Sequence, residues 1–354
     1  MPFIHSVACA LAPHYYDQET LTRTLLEDWT GSYVNTERIL KFQKNVQVGG
    51  RHLAVPLERY RQLKSFGDFN DAWLEAAVPM ASQAVTELLD DAGLKPEQIS
   101  SITSTTVTGL AVPSLDARLM NQLPFPRSTR RTPLFGLGCL AGVAGINRVG
   151  DYLVGHPEEA AILVAVELCS LTLQKKDVSV ANLIASGLFG DGCAAVLMVG
   201  DKHPLAASAP LEWSHPRSAF FSDTERIMGW DVVDSGFKVV LSPEVPRLVA
   251  EEVPKEVEAL LAEAECDREK PDFVVAHPGG PRVLDALQDA LNLEDDMLQL
   301  SWDSLQQHGN MSSASVLFIL KDTLDNLPPI NSIGVMTALG PGFCAEFNLL
   351  KRAS

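Results

Sequence analysis

Apolar residues recur along this chain in two rhythms. Short runs rich in valine, isoleucine and alanine alternate with longer stretches in which apolar positions return every three or four residues. The first rhythm suits strands covered on both faces and the second suits amphipathic helices, so their alternation predicts an α/β fold. In the first half, Ala81 to Ala92 reads as a helix ending near Gly93, and Ile99 to Thr106, Ala161 to Val166 and Ala194 to Val199 read as strands. Thr132-Pro-Leu-Phe-Gly-Leu-Gly-Cys139-Leu-Ala-Gly-Val-Ala-Gly145 reads as a short apolar strand running into a helix packed through small residues. The second half repeats the logic. Val245 to Glu263 is an amphipathic helix, Phe273 to Ala276 a strand, and Pro281 to Leu291 a helix with proline in its first turn. Ser312 to Leu320 is a further helix, with strands at Ile333 to Thr337 and Cys344 to Leu350. The Pro- and Ser-containing stretch Lys202 to Pro216 marks the boundary between the halves. There is no low-complexity segment and no short-period repeat.

Composition narrows the functional classes. With 354 residues, 46% of them hydrophobic, the chain can bury a large core and has room for two domains. Mean hydropathy is +0.07, and no uninterrupted apolar stretch reaches membrane-spanning length. The opening Met-Pro-Phe-Ile-His-Ser-Val-Ala lacks the basic lead and apolar core of a signal peptide, so a soluble cytoplasmic protein is expected. A net charge of −17 disfavours nucleic acid and anionic membrane as general surface partners, and an anionic ligand would need a local basic patch. The six cysteines (Cys9, Cys139, Cys169, Cys193, Cys266 and Cys344) show no short paired spacing, which argues against a metal site or a disulfide framework. Cys9, Cys193 and Cys344 lie in apolar runs and read as small buried hydrophobes.

Cys139 differs from them. Glycine precedes it and a helix is expected to begin there, so its thiol would feel the positive end of the helix dipole. Two later segments each end an apolar run with a catalytic-type side chain: Phe273-Val-Val-Ala-His277-Pro-Gly-Gly-Pro, and His308-Gly-Asn310-Met-Ser-Ser-Ala-Ser. Together they suggest a Cys-His-Asn acyl-transfer site at the junction of two similar halves. Each residue also has a plainer reading: a buried structural thiol, a histidine capping a strand end, and an asparagine capping a helix.

The sequence resembles the type III polyketide synthases, the chalcone-synthase-like branch of the thiolase-fold condensing enzymes, over nearly its whole length. The resemblance is carried by Gly138-Cys139 with its small-residue helix, Val166-Glu167-Leu-Cys169, Leu188-Phe189-Gly-Asp-Gly, Ala276-His277-Pro-Gly-Gly-Pro, Gly309-Asn310-Met-Ser-Ser-Ala and Gly340-Pro-Gly342, in family order and at family spacing. It implies a thiolase-like fold of two similar βα halves, residues 1–205 and 206–354, in a five-layered αβαβα arrangement. It also implies a homodimer that acts on an acyl-CoA starter and malonyl-CoA with no cofactor or metal, cyclising its product to a pyrone- or resorcinol-type compound.

The same resemblance assigns roles. Cys139 would carry the growing acyl chain as a thioester, while His277 and Asn310 would hold the enolate formed when malonyl-CoA loses CO2. Phe189 would orient malonyl, and Glu167, Cys169, Thr172 and Ser312 would line the cavity, with Gly342 in a loop that departs from the family's Gly-Phe-Gly-Pro-Gly at Ala338 and Leu339. Val239 stands where plant relatives carry a second gatekeeping aromatic, which suggests a wider passage and aliphatic starters. Val112 would reach into the neighbouring subunit's cavity. Arg38, Lys41 and Asn45, spaced to share one helical face, occupy the positions with which relatives grip CoA phosphates. The alternative is a ketoacyl synthase III-like enzyme fed by acyl carrier protein, against which stands Pro-Gly-Gly-Pro after His277 in place of that branch's Gln-Ala-Asn. A cysteine hydrolase would need other surroundings for Cys139, and a silent partner subunit sits poorly with an intact trio.

Overall fold

A computed structural model describes residues 1–28, 36–266 and 268–353. Its strands are β1 (Phe3–Leu11), β2 (His14–Asp17), β3 (Gly50–Leu53), β4 (Ile99–Thr105), β5 (Arg130–Leu134), β6 (Ala160–Leu168), β7 (Asp191–Val199), β8 (Leu211–Phe220), β9 (Met228–Val233), β10 (Gly236–Leu241), β11 (Phe273–Ala276), β12 (Ile333–Gly340) and β13 (Cys344–Arg352). Its α-helices are α1 (Gln18–Asp28), α2 (Thr36–Asn45), α3 (Leu57–Gln62), α4 (Phe66–Asp91), α5 (Leu115–Gln122), α6 (Ala141–Gly155), α7 (Val180–Leu188), α8 (Val245–Glu263), α9 (Pro281–Ala290), α10 (Gln299–His308) and α11 (Ser315–Asp325).

Nine strands form one mixed sheet in the order β11-β12-β13-β8-β1-β7-β6-β4-β5. Two half-sheets meet within it. In the first, β5, β4 and β6 pair in parallel, followed by antiparallel β7 and β1. In the second, β11 and β12 pair in parallel, followed by antiparallel β13 and β8. The seam between them is short: Phe3 pairs with Glu212 and Ile4 with Leu211. Helix α6 packs on β4 and β6 of one half and on β12 and β13 of the other, while α11 lies against β1, β7 and β11. Helix α4 covers β1, β6 and β7, and α8 covers β8 and β13. The layers therefore run αβαβα, the thiolase-like arrangement expected from the sequence.

Strand periodicity explains why β6 reads as a continuous apolar run. Ile162, Val164 and Val166 belong to the core shared with α4, whereas Ala161, Leu163 and Ala165 belong to the core around α6 and α11. Both faces are buried, so neither can be polar. Helix α6 comes close to its partner through small residues. A Cβ at Gly142 would collide with the Ser313 carbonyl and with Val316, so glycine there lets the start of α6 lie directly on the turn that begins α11.

Two segments depart from their sequence reading. The strand before Cys139 is β5, a mostly exposed edge strand, and Phe135 beyond it remains 55% exposed. An edge position tolerates Pro133, which has no N–H to give to a ladder. Helix α4 is much longer than Ala81 to Ala92. It runs through Pro79 and is opened by a capping box, in which Asp68 N donates to Ser65 Oγ (3.2 Å) and Ser65 N donates to Asp68 Oδ2 (3.0 Å).

Candidate active site

Four connections converge where the halves meet: the turn before α6, the loop after β11, the turn before α11 and the link between α7 and β7. Cys139 lies in a single 3-10 turn, Gly138–Leu140, immediately ahead of α6. Gly138 has φ +55°, and a Cβ there would strike the Pro341 ring, so only glycine lets the thiol turn pass beneath the Gly340–Gly342 loop. His277 follows β11 and continues its pairing, its backbone N donating to Thr337 O at 3.0 Å. Asn310 N donates to Leu188 O (2.8 Å) and Gly190 N donates to Asn310 O (3.0 Å), a one-residue parallel bridge that sets Asn310 beside Phe189.

Side chains tie these segments into one chain of contacts. The Ser312 hydroxyl lies beside the Cys139 thiol. Ser312 N donates to Asn310 Oδ1 at 2.7 Å, and Asn310 Nδ2 donates to Gly279 O at 3.3 Å, two residues beyond His277. The N-cap of α11 is Ala314, so Asn310 is not a helix cap; its side-chain oxygen is fixed by Ser312 N, with the amide N–H2 facing the His277 loop. Ser312 adopts φ +48°, a left-handed conformation uncommon outside glycine, and its neighbours hold it there.

The junction holds several unpaired polar atoms. Nδ1 and Nε2 of His277, Oγ of Ser312 and Oγ1 of Thr337 are buried without a conventional hydrogen-bond partner. Each such atom costs about 1–3 kcal/mol relative to a paired one, so four on the segments that meet at this junction mark a site built for something other than stability. Burial also sets the proton affinities. It pushes the Cys139 thiol up to about 12, opposed by the neighbouring Ser312 hydroxyl, and the His277 imidazole down to about 3. The Cys139 residue is partly accessible, yet protein surrounds its sulfur closely enough for desolvation to dominate. Neither group ionises alone near neutrality. Desolvation is the largest influence on both, and it favours the neutral form of each.

Residues 56–202 match the family description "Chalcone and stilbene synthases, N-terminal domain" and residues 213–353 match the corresponding C-terminal domain. The chain belongs to the chalcone and stilbene synthase family. It is a type III polyketide synthase, an acyltransferase with a thiolase-like fold. A 1,3,6,8-tetrahydroxynaphthalene synthase of Streptomyces peucetius subsp. caesius is 42% identical over 350 residues, covering 98% of this chain and 92% of the relative. A phloroglucinol synthase of Pseudomonas fluorescens is 31% identical over 302 residues, covering 85% of each chain. The crystal structure of the tetrahydroxynaphthalene synthase of Streptomyces coelicolor A3(2), described as a bacterial type III polyketide synthase, superimposes with a TM-score of 0.93 at 30% identity over 99% of both chains.

Beside the trio the synthase has a cleft lined by Cys169, Thr172, Phe189 and Val239, four residues that the sequence resemblance selects. Cys139, His277 and Asn310 do not line it. Glu167 does not line it either. Its carboxyl is fully buried and accepts bonds from Val107 N (3.1 Å), Thr108 Oγ1 (2.9 Å) and Ser313 Oγ (2.5 Å), which pins the end of β6 to the turn carrying Ser312. Burial raises this carboxyl to about 7. Gly342 (φ +77°) offers its carbonyl to Thr224 Oγ1 at 2.8 Å. Val112 is 97% exposed.

Trp230 is the residue that sequence reading misses. It lines the cleft, faces Val239 across the β9–β10 ladder, and sits with its ring 5.9 Å from Phe189 and 6.4 Å from Phe237. The space left by a small side chain at 239 is therefore occupied from the opposite strand. A signal was present. Asp234-Ser235 is a two-residue hairpin connection followed by Gly236, and counting back from it pairs 230 with 239. Thr337, a lone hydroxyl in apolar β12, went unread for lack of any such signal.

Arg38, Lys41 and Asn45 are all exposed on α2, sharing the face their spacing predicts, and the Arg38 guanidinium lies 5.5 Å above the Phe42 ring. None of them lines the cleft. Their helix is fastened to α7, a wall of the cleft, by Gln43 Nε2 donating to Leu183 O (3.0 Å) and Ser186 Oγ (3.3 Å).

Proposed function

We propose that Cys139 accepts an acyl group from CoA as a thioester and that His277 and Asn310 stabilise the enolate of a malonyl unit that has lost CO2. The observation that carries this is the set of buried, partnerless polar atoms of His277, Ser312 and Thr337 on the segments that meet the Cys139 turn. A thioester oxygen placed between His277 and Asn310 would receive the unpaired His277 ring N–H and the second N–H of the Asn310 amide, whose first donates to Gly279 O. The carbanion then attacks the acyl carbonyl on Cys139, the C–S bond breaks, and the thiolate leaves with the electron pair. Loss of CO2 supplies the nucleophile, so this route calls on CoA thioesters and no further cofactor. Sulfur suits the carrier because it is both a strong nucleophile and a good leaving group.

The substrate class follows from the cleft and the relatives. Trp230, Phe189 and Phe237 narrow the space beside Val239, which favours a short starter over the aliphatic chains that Val239 alone suggested. The relatives named tetrahydroxynaphthalene synthase and phloroglucinol synthase make small polyhydroxylated aromatics, so a resorcinol-type ring assembled from malonyl units is the product proposed. Incubating the enzyme with malonyl-CoA alone and with short-, medium- and long-chain acyl-CoAs, followed by mass spectrometry, tests this. Products from malonyl-CoA alone or with short starters are expected. Turnover confined to acyl-carrier-protein thioesters would favour the ketoacyl synthase III alternative. Trp230→Ala should open the cleft and raise turnover of long-chain starters relative to short ones by roughly tenfold, about the discrimination available to an apolar pocket. An unchanged starter profile would remove Trp230 from the gate.

The remaining assignments belong to the same proposal. The halves divide at 205/206, between the two matched domains. A homodimer is supported by exposed Val112, by Phe135 and by the open edge strand β5, features that a free monomer leaves to water. Arg38 and Lys41, with Asn45 in place of a third cation, guide the CoA phosphates past a protein whose net charge of −17 repels them. These contacts lie far from the chemistry and act alike on ground and transition states. The double change Arg38→Ala, Lys41→Ala should raise KM for malonyl-CoA about three- to tenfold, as expected for exposed ion pairs. kcat should stay near wild type, and the defect should shrink at high salt. A fall in kcat at constant KM would return both residues to a solvated face.

A further inference from the structure

Arg51 is buried to 4% exposure in β3, outside every motif that identified the site. Its Nη1 donates to the Phe189 carbonyl at 2.7 Å. That carbonyl belongs to the link which, through the Leu188 O and Gly190 N bonds on either side, holds the backbone of Asn310. The arginine stem completes the clamp. A Cβ at Gly309 (φ +70°) would crowd both the Leu188 carbonyl and the Arg51 stem, so the segment bearing Asn310 lies directly against Arg51.

Asp191, two residues after Phe189, acts on the guanidinium through its charge and not through a hydrogen bond, and Arg51 Nε is buried without a partner. Asp191 accepts from Ala54 N (2.6 Å), from Ser170 N (2.8 Å) and from the Ser170 hydroxyl, which also bonds Tyr60. Ser170 adjoins Cys169 in the turn that floors the cleft. Arg51 thus ties β3 to the Phe189 link and the Gly309–Asn310 segment, and Asp191, beside it in charge, ties that link to the Cys169–Thr172 turn.

We propose that Arg51 is a positioning residue, a charged strut that fixes the Phe189 ring and the Asn310 amide in one geometry relative to Cys139. A packing role would be served as well by an apolar side chain of the same length. The role proposed here needs a donor for the Phe189 carbonyl and a cation beside Asp191. The groups facing Asp191 are Arg51 from β3, Tyr60 from α3 and Cys169 and Ser170 from the turn. Burial raises the Asp191 carboxyl to about 6, and Arg51 opposes that rise. Without the cation the carboxyl keeps its proton to higher pH, and the bonds from Ala54 and Ser170 to an ionised acceptor are then lost over a wider range.

The inference rests on the role proposed for Asn310, and its test separates the two. Arg51→Met should lower kcat for polyketide formation at least about tenfold, since a misplaced oxyanion donor loses much of its effect. KM for malonyl-CoA should change less than about threefold, and the acid limb of the kcat–pH profile should move upward by about one pH unit. Arg51→Lys, which keeps charge and one donor, should recover part of kcat and leave the acid limb near its wild-type position. Should the methionine variant fail to fold, Arg51→Gln, neutral but still a donor, is read for the same upward move of the acid limb. A folded neutral variant with kcat and acid limb like wild type overturns the strut, as does a loss confined to KM or a lysine variant no better than methionine. Asn310→Ala serves as the control. Full activity there would refute the enolate site itself, whereas an impaired Asn310→Ala beside an unimpaired Arg51→Met refutes only the strut.

Discussion

Cys139→Ala should abolish polyketide formation, by roughly a thousandfold or more, while leaving the protein folded. The substitution removes the atom that would carry the acyl chain, and nothing else near the site replaces it: burial pushes Cys169 well above the ordinary thiol range, its strongest influence being desolvation. The structural cost is about 1 kcal/mol, the scale of one lost buried group. Malonyl-CoA decarboxylation should survive in part, because His277 and Asn310 still surround the place of the thioester oxygen. Steady-state product formation and release of labelled CO2, measured on the same preparation, distinguish the two activities. Elongation at near wild-type rate in the alanine variant would refute a covalent role.

His277→Ala and Asn310→Ala should each slow malonyl-CoA decarboxylation about a hundredfold or more, on the order of 3 kcal/mol for the loss of one preorganised donor. The two should differ in what happens to the thiol. Burial raises the Cys139 thiol to about 12, and the proposed role of His277 includes taking that proton so that thiolate forms at neutral pH. Iodoacetamide labelling of Cys139 should therefore fall sharply in His277→Ala and recover about tenfold for each unit of rising pH, because more of a lone thiol ionises as pH approaches its own value. Asn310→Ala should label almost as wild type. Equal labelling in His277→Ala and wild type at neutral pH would show that the start of α6 alone ionises the thiol.

Much of this arrangement is legible in the sequence, and the illegible parts share a cause. Helix α8 and strand β11 match their expected bounds because apolar period and flanking prolines agree there. Cys139, His277 and Asn310 are each marked by local context, a glycine-flanked turn or the end of an apolar run. What one side chain does to another far along the chain carries no local signature. The bridge between Phe189 and Asn310 and the bond from Arg51 to Phe189 arise from pairing between separate segments. Val239 illustrates the same limit from the other side. Its small size is visible in the sequence, but Trp230 opposite it is found only once the β9–β10 register is known. Glu167 shows that a motif position can lie beside a site without facing the cleft, since its carboxyl is consumed by Val107, Thr108 and Ser313. Helix α4 extends well ahead of the expected Ala81, through Pro79, a residue type that ends most helices but here lies inside one secured by its capping box and its buried face.

The most direct measurement is mass-spectrometric mapping of the enzyme quenched during turnover with malonyl-CoA and a short acyl-CoA starter. An acyl adduct on the peptide containing Cys139, absent from Cys139→Ala and enriched in Asn310→Ala, where loading continues but extension stalls, is the expected result. An adduct on another residue, or none at any quench time while product still accumulates, would contradict covalent catalysis by Cys139.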